Sequence, residues 1–135
     1  MERYIPAICT NLPDDGRGPQ VYASYARRNP AACKIVAVAE PRALTRARFA
    51  SVHSIPPSNV FTDWRELVAA GRLADAAVIA VQDAQHAQVL LACTPVGYHI
   101  LCEKPLATSA EECIRMADAV KGAGDIVFAI GHGTC

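Results

Sequence analysis

Short, continuous runs of apolar residues alternate along the chain with longer segments whose apolar residues recur every three or four positions. The strongest runs are "CKIVAVAE" at 33–40 and "DAAVIAV" at 75–81. Continuous apolarity of this length is typical of strands that are buried on both faces of a parallel sheet, and the longer period is typical of amphipathic helices. The pattern therefore predicts a chain in which strands and helices alternate.

The same pattern gives the bounds of each element. Strands are predicted at 4–9, 33–40, 59–61, 75–81, 98–104 and 125–132. Helices are predicted at 19–28, 42–54, 63–71, 84–97 and 108–124. Strands that alternate with helical crossovers form a parallel sheet with helices on both faces. We therefore predict an α/β fold, a doubly wound parallel sheet of Rossmann type with about six strands, in a single domain over residues 1–135.

Two helix starts carry the signature of a capping box, which is a short polar side chain followed three residues later by glutamate. One pair is Asp63 with Glu66, and the other is Thr108 with Glu111. In a capping box the first side chain accepts a hydrogen bond from the helix backbone, and the glutamate reaches back to the backbone of the first residue. We expect the third and fifth helices to begin at these pairs.

Composition and charge narrow the class of protein. The 135 residues are 52% hydrophobic, and thirteen basic residues balance thirteen acidic ones. A net charge of zero gives no electrostatic attraction for nucleic acid or for anionic lipid, and no apolar run approaches the roughly 20 residues of a membrane span. The six cysteines show no metal-binding spacing, so we predict no metal site and reduced thiols in a cytoplasmic protein.

The stretch "TNLPDDGRGPQ" lies between the first strand and the first helix, where a Rossmann domain carries its glycine-rich phosphate turn. Gly16 and Gly18 suit such a turn, but if Gly18 is the third glycine of the fingerprint, Pro13 and Asp15 occupy the first two positions. Asp15 would then place a carboxylate at a helix N-terminus that otherwise attracts phosphate. Two interpretations stay open: an altered phosphate site, or a turn whose aspartates only cap the helix.

Polar side chains follow the predicted strands, and parallel strands end at one edge of a sheet. Glu40 lies 22 residues after Gly18, where an acidic residue binds the ribose hydroxyls of NAD, whereas Arg42 would suit the 2′-phosphate of NADP. The choice between NAD and NADP therefore stays open, and so does a simple solvated carboxylate at Glu40. The residues expected at this edge are Glu40, Arg42, Gln82, His86, Glu103, Lys104 and His132.

Three of these residues are candidates for catalysis, namely Lys104, His86 and His132. A lysine at a strand end can donate a hydrogen bond to a substrate hydroxyl or carbonyl and neutralise developing negative charge. An imidazole can transfer protons near neutral pH. The competing interpretations are a surface ion pair between Glu103 and Lys104 and histidines with a structural role.

Six segments together resemble a known family. They are VAVAEP (36–41), FTDWREL (61–67), VIAVQDAQHAQ (78–88), GYHILCEKPLA (97–107), EEC (111–113) and GH (131–132). In this order they resemble the Gfo/Idh/MocA oxidoreductases. The resemblance implies an N-terminal Rossmann domain that binds NAD(P), followed by a second α/β domain that supplies substrate contacts and usually subunit contacts.

The resemblance also implies roles for individual residues. The family's Glu-Lys-Pro motif corresponds to Glu103, Lys104 and Pro105. The lysine of this motif contacts substrate and nicotinamide, and its peptide bond to proline is often cis. By the same resemblance, Glu40 corresponds to the acid that binds ribose, and His86 to the histidine after the fourth strand.

The chain ends at Cys135, where family members continue into the second domain, so we expect either a shortened protein or a fragment. Such a chain would leave a sheet edge uncovered, which favours a homodimer that buries the sixth strand. Three functions are compatible with the residues. They are an NAD(P)-dependent oxidoreductase acting on a small hydroxyl or carbonyl compound, a cyclase, isomerase or dehydratase that uses no nicotinamide, and a non-catalytic binding module. The resemblance favours the first.

Overall fold

The structure, a computed structural model, describes residues 7–10 and 20–131, with side chains for residues 22–131. The residues predicted for the glycine turn and the second candidate histidine lie outside these ranges; they are Pro13, Asp15, Gly16, Gly18 and His132.

Strands and helices alternate through the described residues, as the apolar pattern predicted. The strands are β1 Ala7–Thr10, β2 Ala37–Ala39, β3 Val60–Phe61, β4 Ala76–Ala80, β5 His99–Glu103 and β6 Phe128–Gly131. The helices are α1 Gln20–Arg28, α2 Ala43–His53, α3 Trp64–Ala69, α4 His86–Cys93 and α5 Ala110–Gly122. Short 3-10 turns at Pro57–Asn59 and Asp83–Gln85 precede β3 and α4.

All of these strands pair in parallel, in the order β3-β2-β1-β4-β5-β6. The first half of the chain extends the sheet from β1 outward to β3, and the second half extends it from β4 outward to β6. The direction of winding therefore reverses between β1 and β4. In open α/β sheets, ligands bind in the crevice that this reversal opens at the carboxyl ends of the strands. The predicted doubly wound fold of Rossmann type is confirmed.

Two apolar layers flank the sheet. On one face, Ala23 of α1 and Phe49 of α2 pack with Val38 and Val78 of the central strands. On the other face, residues of α3, α4 and α5 pack against the sheet; they include Leu67, Leu90 and Met116, together with Ile79 and Cys102. Because both faces of the sheet are covered, the strand sequences are continuously apolar, and polar side chains occur mainly at the strand ends.

The helix predicted over 84–97 is wrong at both ends. Asp83–Gln85 forms a 3-10 turn, and α4 begins only at His86. At the other end Thr94 is the C-cap residue, and its hydroxyl donates to a carbonyl one turn earlier at 2.7 Å. The apolar pattern continues past this point because Val96 packs against the core from outside the helix.

The cap of α5 lies one residue later than predicted. Ser109, rather than Thr108, is the N-cap residue, and its hydroxyl accepts from the backbone N–H of Glu112 at 3.2 Å. Glu112, rather than Glu111, reaches back and accepts from the Thr108 hydroxyl at 2.8 Å. The sequence offers two overlapping capping pairs, and the helix uses the second. At α3, Asp63 is the N-cap residue as predicted.

The cysteines whose side chains are described are free thiols; they are Cys33, Cys93, Cys102 and Cys113. Burial raises the pKa of Cys93 and of Cys102 to about 12. A thiol with such a pKa is protonated at neutral pH and is a poor nucleophile, so these two cysteines contribute packing rather than chemistry. Within the described ranges, no helix is long and apolar enough to cross a membrane.

Tyr98 is fully buried and joins two segments of the fold. Its hydroxyl donates to the Gly71 carbonyl at 2.8 Å and accepts from the Leu73 backbone N–H at 3.0 Å. Tyr98→Phe would leave both backbone groups without this partner, so we expect the free energy of unfolding in urea to fall by about 1–3 kcal/mol. Tyr25→Phe removes an exposed hydroxyl and should change it by less than about 0.5 kcal/mol. If the free energy of unfolding falls by the same small amount in Tyr98→Phe and Tyr25→Phe, the role of Tyr98 in joining the two segments is contradicted.

Candidate functional site

The parallel sheet brings several of the predicted site residues to one edge. Glu40 follows β2, Gln82 follows β4, and Lys104 follows β5. The register of the last two strands places Glu103 opposite Gly131 at the same edge. The structure therefore gathers side chains from distant parts of the sequence where an open α/β sheet binds its ligands.

Glu40 is the acidic residue at this edge, and its side chain is inaccessible to solvent. Its Oε1 accepts from both the backbone N–H and the Nε of Arg42 at 2.9 Å, and its Oε2 accepts from Arg42 Nη2 at 3.0 Å. Arg46 Nη1 donates to the Glu40 carbonyl at 2.7 Å and fixes the backbone. The buried charge is thus compensated by a bidentate guanidinium, which is the strongest common partner of a carboxylate.

A small open cleft of about 190 Å³ lies beside Glu40, between the ends of β2, β3 and β4. It is lined by Ala39, Pro41, Thr62, Asp63, Trp64, Val81 and Gln85. The indole Nε1 of Trp64 is buried and has no hydrogen-bond partner within the described part of the chain. On the Trp64 ring lies the Arg65 guanidinium, at 4.3 Å from its centroid. The cleft is therefore small and open, and polar and apolar groups line it together.

Lys104 is exposed, and its peptide bond to Pro105 is cis, as the resemblance implied. Within residues 22–131 its ammonium has no hydrogen bond or ion pair. The alternative of an ion pair between Glu103 and Lys104 is wrong, because the Glu103 carboxylate accepts instead from the Lys104 backbone N–H at 3.3 Å. None of the residues with described side chains therefore occupies the Lys104 ammonium, which leaves it available to a ligand.

His86 was predicted in the first turn of a helix beginning at residue 84; it is instead the first residue of α4, and its side chain is buried. Its Nδ1 lies 2.8 Å from the carbonyl oxygen of Pro105, and its Nε2 lies 3.1 Å from that of Val81. The ring therefore joins the end of β4 to the segment that carries Lys104. In this arrangement both nitrogens face backbone carbonyls, and neither is presented to the crevice.

The structure also assigns a contact that sequence reasoning missed. The hydroxyl of Tyr22, in α1, forms a hydrogen bond with the Glu103 carboxylate. Next to both lies Gly131, so close that a Cβ built there would be 2.3 Å from the Tyr22 hydroxyl. The apolar period of α1 had placed Tyr22 only on a helix face. The available signal was a tyrosine just after the glycine turn, but the sequence does not show which strand end it meets.

The remaining predicted residue, Gln82, is exposed and precedes the 3-10 turn of Asp83–Gln85. Its carbonyl accepts from the Gln85 backbone N–H at 2.8 Å, which closes that turn. Gly16, Gly18 and His132 lie outside the described residues. The described site therefore consists of a buried acid with its arginine, a cleft beside them, and an exposed lysine held in place by Glu103 and His86.

The chain is similar to known proteins in sequence and in fold. Inositol 2-dehydrogenase 2 of Saccharopolyspora erythraea is 42% identical over 57 residues, which are 42% of this chain and 17% of that protein. An inositol 2-dehydrogenase of Rubrobacter xylanophilus is 35% identical over 98 residues, 73% of this chain and 27% of that protein. A crystal structure of an oxidoreductase domain protein from Kribbella flavida is 26% identical, with a TM-score of 0.77, and the match covers 97% of this chain and 35% of that one.

The chain thus spans about a third of the length of that solved structure. A family model described as "Oxidoreductase family, NAD-binding Rossmann fold" matches residues 16–132. The match includes the acid after β2, the lysine after β5 and every strand from β2 to β6. The chain therefore belongs to the Gfo/Idh/MocA oxidoreductase family, whose domain of this kind is an NAD-binding Rossmann fold.

Proposed function

We propose that the chain is the nucleotide-binding part of an NAD(P)-dependent oxidoreductase that acts on a small hydroxyl or carbonyl compound. The observation that carries this proposal is the position of Glu40. It ends β2 at the edge where the sheet reverses direction, beside an open cleft. An acid at that point of a Rossmann sheet binds the ribose hydroxyls of NAD.

The residues at this edge fit the two halves of the nucleotide. The cleft beside Glu40 is lined in part by the aromatic residue Trp64, and we propose that it accepts the adenine base. The Nε1 of Trp64 is buried without a hydrogen-bond partner among the described residues, and such a donor calls for a bound molecule or an ordered water. For the pyrophosphate we propose Gly16 and Gly18, ahead of α1, where a helix N-terminus attracts anions.

The choice between NAD and NADP depends on the pair of Glu40 and Arg42. The Glu40 carboxylate is inaccessible to solvent and is held on both oxygens by Arg42. Ribose hydroxyls can therefore reach the carboxylate only after the Arg42 guanidinium moves. Once displaced, the same guanidinium is a suitable partner for a 2′-phosphate. We propose that both nucleotides bind and that this pair sets their relative affinities.

In the reaction we propose that Lys104 acts on the substrate oxygen. Its ammonium would donate a hydrogen bond to the hydroxyl or carbonyl and stabilise the negative charge that develops there. The nicotinamide nucleotide supplies or accepts the hydride when bound. We assign His86 the task of holding Pro105, because both of its nitrogens face carbonyls, and we keep His132 as the candidate for proton exchange.

A second candidate function is supported by the same buried pair. If Arg42 stays on Glu40, the ribose site is closed, and Pro13 and Asp15 weaken the phosphate site. The chain would then be a cyclase, isomerase or dehydratase that uses Lys104 as an acid–base group without nicotinamide. The third possibility, a non-catalytic module, has no residue in its favour.

The experiment that separates these functions is a titration with NADH and NADPH, monitored by nicotinamide fluorescence. The first proposal expects saturable binding of at least one nucleotide, displaced by the corresponding oxidised form. No binding at millimolar nucleotide would reject it in favour of the second candidate. Because two relatives are named inositol 2-dehydrogenases, a cyclic polyol such as inositol is the first substrate class to test with the nucleotide that binds.

We also propose that the chain forms a homodimer through β6. This strand lies at one edge of the sheet, and nearby apolar side chains are exposed, with Val127 64% and Ile130 38% accessible. An unpaired edge with apolar neighbours favours association. Light scattering at tens of micromolar should give twice the mass of one chain, and Ile130→Lys should reduce it to a single chain. A monomer in the unsubstituted protein would contradict this proposal.

A further inference from the structure

We propose that Tyr22 is a positioning residue for Lys104, acting through the Glu103 carboxylate and the backbone of the lysine. The inference rests on the proposed function in one respect, namely that Lys104 faces the nicotinamide. The chain of contacts itself is independent of that function. It joins α1 to the segment that carries the lysine.

The first step is the contact between Tyr22 and Glu103. Burial, then the hydrogen bond to Glu103, then the negative charge of that carboxylate raise the pKa of Tyr22 to about 12. The phenol is therefore protonated at every pH at which the protein would work, and it acts as the donor. The Glu103 carboxylate is its acceptor, because both groups lie beside Gly131: an added Cβ there would clash with the Tyr22 hydroxyl and lie 3.3 Å from Glu103 Oε1.

The second step is the contact between Glu103 and Lys104. The other end of the same carboxylate, Oε2, accepts from the Lys104 backbone N–H at 3.3 Å. This long hydrogen bond depends on the rotamer of Glu103, because the two residues are neighbours in an otherwise exposed segment. Because the Tyr22 hydroxyl of α1 also contacts this carboxylate, the orientation of the Glu103 side chain is defined. We infer that the Tyr22 hydroxyl supplies the constraint that keeps the lysine backbone in place.

The absence of a side chain at Gly131 leaves room for the contact between Tyr22 and Glu103. A Cβ built there would lie 2.3 Å from the Tyr22 hydroxyl and 3.3 Å from Glu103 Oε1. Real Cβ atoms do not approach an oxygen so closely, and the hydroxyl cannot retreat alone because the ring is rigid. The end of β6 therefore accommodates the Tyr22–Glu103 contact only because residue 131 has no side chain. Gly131→Ala should displace the tyrosine from the carboxylate without altering either residue.

The test measures solvent exchange of the Lys104 backbone amide by nuclear magnetic resonance in the 135-residue chain. Tyr22→Phe removes only the hydroxyl, and we expect exchange at Lys104 to be about threefold to tenfold faster, as befits one lost hydrogen-bond constraint. Tyr25→Phe, which removes an exposed hydroxyl from the same helix, is the matched control and should leave this rate unchanged. Circular dichroism and thermal melting establish that each variant is folded.

Gly131→Ala and the combined variant complete the test. Gly131→Ala should also speed exchange at Lys104, and it should add little in a chain that already carries Tyr22→Phe, because the clashing oxygen is then absent. In the same samples, the fluorescence of bound NADH should change in Tyr22→Phe while its dissociation constant stays within about threefold, since most of the nucleotide is held elsewhere.

The outcomes separate the two proposals. If Tyr22→Phe leaves the Lys104 amide as protected as in the unsubstituted chain, the positioning role is rejected, whatever the nucleotide data show. If exchange accelerates but no variant binds NADH or NADPH, the contact chain stands and the proposed function fails. If NADH binds and its fluorescence is unaltered by Tyr22→Phe despite faster exchange, Tyr22 orders the backbone only and is rejected as a positioning residue for the reaction.

Discussion

Glu40→Gln is expected to weaken NADH binding by about tenfold to a hundredfold. The carboxylate can accept a hydrogen bond from each of the two ribose hydroxyls. The amide of glutamine accepts only through its single oxygen and presents its NH₂ group to the second hydroxyl. A hydrogen bond to a charged acceptor contributes about 1.5–3 kcal/mol, and 1.4 kcal/mol corresponds to a factor of ten. NADPH should lose less affinity, because its 2′-phosphate is repelled by the native carboxylate. Fluorescence titration of each nucleotide measures both effects.

Arg42 gives the complementary variant. In the unsubstituted chain its guanidinium occupies both oxygens of Glu40, so NADH must displace it before the ribose can bind. Arg42→Ala should therefore leave NADH affinity unchanged or raise it, while it removes the cation proposed for the 2′-phosphate and lowers NADPH affinity. The two substitutions thus move the ratio of NADH to NADPH affinity in opposite directions.

A matched control for Glu40 is available on α5. Glu111 is exposed in the first turn of that helix, and Glu111→Gln makes the same chemical change at a residue that does not line the cleft beside Glu40. It should alter neither nucleotide's affinity. If Glu40→Gln behaves like Glu111→Gln, ribose recognition by Glu40 is rejected, and the acid serves only as the partner of Arg42.

Under the proposed function, Lys104→Ala is expected to abolish hydride transfer while largely preserving nucleotide binding. With the ammonium removed, nothing at this position donates to the substrate oxygen, and loss of such a group lowers the rate by about two to four orders of magnitude. The dissociation constant of NADH should change by less than about fivefold, because adenine, ribose and phosphates supply most of the binding energy. The measurement is NAD reduction with a cyclic polyol, paired with the fluorescence titration.

Lys121→Ala is the control for this experiment. Lys121 lies in the last turn of α5 and is exposed, so its removal changes the charge of the chain without touching the crevice. We expect full activity in this variant. Retained activity in Lys104→Ala would instead place the chemistry at another residue and would remove the basis for assigning the lysine to the reaction.

The fold was predictable because the pattern of apolar positions reports burial directly. Runs such as 33–40 and 75–81 are apolar throughout, which requires cover on both faces and hence helices on both sides of a parallel sheet. The bounds were less predictable. Val96 extended the apolar pattern beyond the end of α4 because a loop residue can pack against the core, and overlapping capping pairs at Thr108 and Ser109 gave two equivalent helix starts.

The candidate site was predictable as an edge of the sheet but not as a set of contacts. The sequence shows that Glu40, His86 and Lys104 follow predicted strands. Because parallel strands end at the same edge of a sheet, it also predicts that the three residues lie at one edge. It could not show that Arg42 covers Glu40, since two residues of spacing do not fix the direction of a side chain. It also could not show that His86 turns toward Pro105, a backbone carbonyl 19 residues away.

The contact of Tyr22 with Glu103 was out of reach for a similar reason. It depends on the register that sets Glu103 of β5 opposite Gly131 of β6 and on the position of α1 against both. Register arises from the packing of the whole sheet, not from any single segment. Such contacts between distant segments are therefore where the structure adds most to the sequence.

The central claim is that a nicotinamide nucleotide binds across the carboxyl edge of this sheet, from the cleft at Glu40 to Lys104. Amide spectra recorded during an NADH titration test it most directly. We predict that the largest shifts occur at residues 39–42, 62–64, 81–85 and 103–105, and that the loops at the opposite edge, around Gly71, Gly97 and Gly124, are unaffected. Shifts confined to that opposite edge, or no shifts at millimolar NADH, would contradict the account.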